Sequence, residues 1–207
     1  MVRSVIIWDK KWNKDYMCGR YGFSSETIVA AANVLNMQNI PTGFPDRDVH
    51  PGEYAPVFSV TGLQNCLWGY PGFEKGQLIF NTRAESALEK RMFQSGVTSG
   101  RVLIAAACFY EWDARKEMFR FSNPNAPVLF LAGISQVFDG IRRYSILTTE
   151  PNASVRLIHV RMPLILNQEE ALPWLDDDSA AIELLHKTPA LLHAERASGQ
   201  TSLFDQW

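Results

Sequence analysis

A chain of 207 residues with 46% apolar content is long enough to bury a proper core and, by length, forms one domain. With 20 basic and 22 acidic residues the formal net charge is -2, which excludes a bulk positive field, so any nucleic-acid contact must come from a local patch. Cys18, Cys66 and Cys108 lie more than forty residues apart with no C-x-x-C and no paired histidines, which excludes a disulfide framework and a zinc site, and no apolar run approaches the roughly 18 residues of a membrane span.

Residues 1–16 carry Val5-Ile6-Ile7-Trp8 followed by Asp9-Lys10-Lys11, too short and wrongly flanked for a signal peptide. We read them as an N-terminal extension, a misassigned start or a removed leader, ahead of one domain spanning residues 17–207. Met17 directly precedes Cys18. Were Cys18 the first residue, its thiol and free α-amine would form a 1,2-aminothiol, which captures an aldehyde as an imine and closes it to a five-membered thiazolidine. An α-amine with a pKa of about 7.7–8.0 is partly neutral at physiological pH, and the thiol reacts as thiolate.

A helix opens at Ser24 or Ser25, with Glu26 in its first turn and Ile28, Ala31, Ala32 and Leu35 at helical spacing. Asn36 to Pro56 reads as a long ordered loop, Pro56 to Val60 as a strand, and Thr61-Gly62 as a hairpin turn into Asn65 to Trp68. Gln77 to Phe80 predicts a strand leading into Asn81-Thr82-Arg83, and Ala84 to Phe93 a helix with Leu88 and Met92 on one face. Val102 to Trp112 predicts one or two central strands, followed by strands at Phe119–Phe121, Val128–Ala132 and Tyr144–Thr148. The tail is predicted helical, with Asn167 capping one helix against Glu170 and a second helix over Ser179 to Lys187. This order predicts a single-domain α+β fold around a curled, mostly antiparallel, barrel-like sheet flanked by helices.

Several residues are candidates for chemistry. Glu111 lies in the apolar run Cys108-Phe109-Tyr110-Glu111-Trp112: either a desolvated carboxylate suited to general acid/base work, or a solvent-facing strand end. His159 belongs to Ile158-His159-Val160-Arg161-Met162-Pro163: either a proton shuttle beside an anion-holding guanidinium, or a structural histidine. Asn81-Thr82-Arg83-Ala84-Glu85-Ser86 joins a strand to a helix: an anion site or an ordinary N-cap. His50, His186 and His193 read as structural, the latter two in the helical tail, and Cys66 and Cys108 as small buried apolar residues.

Taken in order, Cys18-Gly19-Arg20-Tyr21, Asn81-Thr82-Arg83-Ala84-Glu85, Phe109-Tyr110-Glu111-Trp112, Ile146-Leu147-Thr148-Thr149 and His159-x-Arg161-Met162-Pro163 resemble the SRAP family, the SOS-response-associated peptidase-like proteins. The resemblance runs from Cys18 to about Leu175. It implies a protein that recognises abasic sites in single-stranded DNA and links itself to them through an N-terminal cysteine thiazolidine, shielding the lesion in the DNA damage or SOS response. Carried over by motif, Cys18 is the nucleophile, Asn81 positions its amine and the opened sugar, Glu111 is general acid/base, and His159 assists ring opening or proton transfer. Arg20, Arg83, Arg91 and Arg161 would hold phosphates with Thr148 beside them, and Trp68 and Pro51 would wedge or stack on bases.

Ala105, Ala106, Cys108, Val160 and Gly52 depart from the family's usual residues, and the Trp68-Gly69-Tyr70-Pro71 segment is one residue short. The implied protein is a cytoplasmic monomer, on the nucleoid when bound to damage, with no cofactor, metal or membrane partner. Two other readings are a thiol peptidase with Cys18 and His159 as nucleophile and base, removing its own leader, and a noncatalytic single-stranded DNA-binding domain.

Overall fold

A computed structural model of the chain describes residues 19–41 and 43–197. Its elements run β1 (Tyr21–Phe23), α1 (Ser25–Val34), β2 (Arg47–Val49), β3 (Tyr54–Ser59), β4 (Gly62–Trp68), β5 (Tyr70–Pro71), β6 (Leu78–Ile79) and β7 (Asn81–Arg83). A 3-10 turn (Ala84–Ser86) leads to α2 (Arg91–Ser99), β8 (Arg101–Ala106), β9 (Cys108–Trp112), β10 (Met118–Ser122), β11 (Leu129–Phe138) and β12 (Ile141–Thr149). The chain continues through β13 (Met162–Pro163), β14 (Ile165–Leu166), α3 (Gln168–Asp176), α4 (Asp178–Leu184) and β15 (His193–Arg196).

The larger sheet closes on itself: β12, β4, β3, β8 and β11 follow one another, and β11 pairs back to β12, so five strands form a barrel with no free edge among them. All these pairings are antiparallel except β12 beside β4, where Arg143 faces Leu67 and Tyr144 faces Trp68. Asp139 and Gly140 both take positive φ in the turn that joins Phe138 to Ile141, as a two-residue hairpin requires. Every residue of β8 is buried, because the barrel interior covers one face and α1, α2 and α3 pack on the other. The α+β class and the curled, mostly antiparallel sheet agree with the sequence expectation.

The apolar run Val102 to Trp112 serves two sheets. Ala107 breaks it, donating its N–H to the Gly22 carbonyl at 2.7 Å, and β9 turns into a second sheet ordered β15-β10-β9-β1-β2. Where local pattern had a tertiary ally, the predicted elements appear: Ser24 caps α1, and Asn167 and Glu170 form the capping box of α3.

Three expectations shift. The helix predicted over Ala84–Phe93 is a 3-10 turn followed, five residues later, by α2, since Ala84 and Ala87 pack into the core and bend the backbone. The loop predicted over Asn36–Pro56 contains β2 and the start of β3. His193, read as part of a helical tail, lies in β15, where Ser122 is its partner.

Candidate active site

Strand β1 lies between β2 and β9. Tyr21 faces Val49 on one side and Phe109 on the other, and Gly22 sits so close to its neighbours that a Cβ there would meet Asp48 Oδ1 at 2.9 Å and Cys108 Sγ at 3.1 Å. Tyr110 donates its N–H to the Arg20 carbonyl at 3.0 Å, so the ladder continues to the first described residues. Cys18 lies outside the described residues. Arg20 is committed: Nε and Nη2 bond Asp48 Oδ2 at 2.7 and 2.5 Å, and its guanidinium lies 4.6 Å from the centroid of the Tyr110 ring.

Glu111 alternates with Tyr110 to the opposite face of β9, level with Phe119 on β10, and is only 3% exposed. Of the two readings of this carboxylate, burial is the one the fold adopts, and the group is engaged rather than isolated. Cys66 and Cys108 are buried thiols, as the sequence predicts; burial pushes Cys66 up to about 11, which keeps it protonated and inert.

A second neighbourhood is joined to the first through Tyr21. Its hydroxyl lies 2.7 Å from that of Tyr144, both rings buried, and burial followed by the neighbouring Tyr21 holds the Tyr144 phenol well above its usual range. Trp68 packs against both, 5.1 Å from the Tyr21 ring and stacked 6.0 Å from that of Tyr144, while its Nε1 donates to the Phe80 carbonyl at 2.9 Å. That same carbonyl accepts from Ile146 N–H, which sets β7 beside β12, with Asn81 opposite Ile146 and Arg83 opposite Thr148. Asn81, half-buried, therefore enters the sheet one residue beyond the aromatic cluster.

Glu85 follows in the 3-10 turn and closes a clamp. Its two carboxylate oxygens accept from Arg161 Nη1 and Nη2, each at 2.8 Å, and Nη2 also donates to the Thr148 carbonyl at 2.6 Å. Burial raises the Glu85 carboxyl, but the bond from Arg161, a backbone N–H bond and the charges of Arg161 and Arg83 together outweigh it and leave the group below the usual carboxylate range. The Arg161 main chain meets His159 Nδ1 twice, with its N–H 3.2 Å and its carbonyl oxygen 3.3 Å away, so Nδ1 accepts in one tautomer and donates in the other. Burial lowers the His159 pKa below its ordinary 6.5, more than the Arg161 backbone raises it, so the ring is predominantly neutral at pH 7. The loop carrying them is braced from below: Asn152 is buried, donates to Pro189 and Ala190 carbonyls, and accepts from Ser154.

The fold thus gathers Thr148, His159 and Arg161 about the Glu85 clamp, with Asn81 on the adjoining strand β7, and sets Arg20 and Glu111 on opposite faces of the β1–β9 ladder. Arg83 is exposed beside Thr148, and Arg91, also exposed, opens α2. Two expectations are corrected. Trp68 is 0% exposed and has rings or backbone around it, so it offers no face to a base; it is a core residue under the site. Pro51 is buried in the turn that Gly52 ties to the Trp68 carbonyl at 2.8 Å, so it is no wedge either.

Thr148, 3% exposed, spends its polar atoms on Arg161 and on Thr82, the hydroxyl 3.3 and 3.4 Å from them. Sequence reasoning missed Asp48, the partner of Arg20, and the clamp role of Glu85, whose only signal was a carboxylate two residues past Arg83. Among the described residues no group of three or more His, Cys, Asp or Glu is placed to hold a metal ion, and no helix is long and apolar enough to cross a membrane.

This arrangement has relatives. The sequence pattern of a family described as SOS response associated peptidase (SRAP) matches residues 17–200. The chain is 29% identical over 198 residues to the abasic site processing protein YoaM of Bacillus subtilis, covering 82% of this chain and 83% of that protein. It is 31% identical over 189 residues to YoqW, an abasic site processing protein of the same organism, covering 77% and 80%, and 29% identical to the protein of that description, YedK, in Escherichia coli, covering 81% and 83%. A crystal structure of a protein from Bacteroides thetaiotaomicron superposes with a TM-score of 0.71 at 21% identity, covering 86% of this chain and 91% of that one, which supports the fold. The chain belongs to the SRAP family.

Proposed function

We propose that this protein processes abasic sites in DNA, and that it does so by covalent capture of the lesion in single-stranded DNA through Cys18. Its relatives bear the name of abasic site processing proteins. The observation that carries the chemical reading is Glu111: a buried carboxylate on the strand that pairs with β1, the strand entered three residues after Cys18.

In this reading the functional unit begins at Cys18, one residue after Met17, where the family match starts. The free amine of Cys18 adds to the aldehyde carbon of the ring-opened sugar and water leaves, giving an imine. The thiolate then adds to the imine carbon and the nitrogen takes up a proton, so aldehyde and aminothiol become thiazolidine plus water. Glu111 serves the proton transfers of imine formation, as a buried carboxyl is tuned to do. Asn81 orients the amine and the opened sugar, and neutral His159 takes the proton of the anomeric hydroxyl and returns it to the ring oxygen as the sugar opens. Arg83 and Arg91, both exposed, hold flanking phosphates. Arg20 and Arg161, each already bonded to a carboxylate, serve the site's architecture first.

The test is direct. Chain beginning at Cys18 is incubated with a single-stranded oligonucleotide bearing one abasic site, and the expected product is a heat-stable conjugate whose mass equals the two reactants less one water. No such conjugate from a folded protein refutes covalent capture. Cys18→Ser should lose it. The family's description as a peptidase favours a second reading, self-removal of residues 1–16 by Cys18 with His159 as base. It requires the intact mass of full-length chain to fall by that segment on standing, and His159→Ala to stop the change.

A further inference from the structure

We propose that Glu85 is a positioning residue for His159, acting through Arg161; the proposal rests on the reading of His159 as the proton-transfer residue. The two candidates Asn81 and His159 sit on segments far apart in sequence, and Glu85 and Arg161 are 76 residues apart. Asn81 belongs to β7, which leads within two residues to the turn holding Glu85. His159 belongs to a loop, outside any strand or helix. Between these segments the Glu85–Arg161 pair makes two parallel bonds of 2.8 Å, and Arg161 also reaches Thr148 on β12, the strand beside β7. A fork-to-fork pair fixes direction as well as distance, which a single contact would not.

The position then passes to the imidazole through the main chain. With its guanidinium held at Glu85 and Thr148, Arg161 presents its backbone N–H to His159 Nδ1 at 3.2 Å. The Arg161 carbonyl oxygen lies 3.3 Å from the same nitrogen, so in either tautomer Nδ1 finds its partner in the Arg161 main chain. Glu85 therefore fixes where the imidazole stands, by fixing the main chain that holds Nδ1, as a group that moves a proton to or from the opening sugar requires. Charged groups facing Glu85 are Arg161 and Arg83; His159 is influenced chiefly by burial and by the Arg161 backbone.

The experiment compares wild type with Glu85→Gln, which keeps the shape and removes the charge. On the full chain, imidazole nitrogen and carbon-bound proton NMR signals, assigned by the loss of one set in His159→Gln, report tautomer and titration without any substrate. Wild type should show a His159 tautomer preference set by the Arg161 main chain, with a pKa below 6.5. In Glu85→Gln the loop loosens, so the pKa should rise toward 6.5 and the tautomer preference weaken. Crosslinking to abasic DNA, measured on chain beginning at Cys18, should slow by about tenfold to a hundredfold, the order expected when a catalytic group is misplaced by an ångström. Glu85→Asp, whose shorter carboxylate Arg161 can follow, should recover part of that rate.

Affinity for intact single-stranded DNA should stay within about twofold, since no phosphate contact is removed. Unchanged His159 titration and tautomer in Glu85→Gln would overturn the proposal. So would a severalfold gain in DNA affinity at unchanged rate, which would make Glu85 a competitor of phosphate for Arg161. If wild type itself forms no conjugate, covalent capture fails, while the NMR comparison still decides the role of Glu85.

Discussion

The two neighbourhoods that meet at Tyr21 hold their candidate residues by different means. Glu111 and Arg20 are placed by strand register: β9 and β1 are paired residue by residue, and the side chains follow from the pleat. His159, on a loop, is held against the turn that follows β7 by a side-chain clamp, Glu85 to Arg161 to Thr148. A ladder of backbone bonds does not titrate in the ordinary pH range, whereas an ion pair does. The backbone ladder of the first is therefore stiff and the clamp of the second adjustable, and the proposed chemistry asks for both: a fixed carboxylate near the nucleophile and a proton-transfer group that meets the sugar.

The largest effect should come where the two halves join. Trp68→Ala removes a fully buried indole packed on Tyr21, Phe80 and Tyr144, and should destabilise the protein by about 3–5 kcal/mol in denaturant titration. Unchanged stability with weakened DNA binding would instead return Trp68 to a surface role. On the register side, Glu111→Gln should lower the crosslinking rate at saturating DNA by roughly a hundredfold or more, the typical contribution of a positioned acid/base. A rate within twofold of wild type would remove Glu111 from the chemistry.

Smaller is the hydroxyl pair. Tyr144→Phe leaves the buried Tyr21 hydroxyl without that partner and should cost about 1–3 kcal/mol, read as a lower unfolding midpoint. The smallest effect, and the sharpest for the comparison, is acid. Glu85 is depressed below its ordinary 4.5, so its stabilising contribution is present above that value and is lost as pH falls through the still lower folded pKa. His159 is also depressed, so between its folded pKa and 6.5 the unfolded chain binds the extra proton and stability declines as pH falls. Amide exchange corrected for its intrinsic pH dependence should thus show the Arg161 N–H losing protection in acid before the Tyr110 N–H does. Equal loss at both would erase the distinction between the two neighbourhoods.

Which parts of this were readable in the chain follows from how local their causes are. The caps at Ser24 and Asn167 and the apolar run from Val102 to Trp112 each write their structure within a few residues and each is present, while the hairpin expected at Thr61-Gly62 turns one residue earlier, at Val60-Thr61, with Gly62 opposite Ser59. The strands β2 and β15 are three and four residues long, too short to carry a period, and exist because a neighbouring strand offers bonds. Trp68 beside a glycine reads alike whether it faces solvent or core; only the closure of β4 against β12 decides that it faces inward.

The sequence by itself determined the candidate set and the family: five short motifs in order, a cysteine behind a methionine, and a core-forming composition in an α+β pattern. Tertiary structure alone decided that Glu111 is buried, that Arg20 and Arg161 are already bonded to Asp48 and Glu85, and that Pro51 and Trp68 are interior. The physical reason is range. Propensity and spacing act over one or two turns of chain, while an ion pair between residues 76 positions apart depends on where closing a barrel brings its ends.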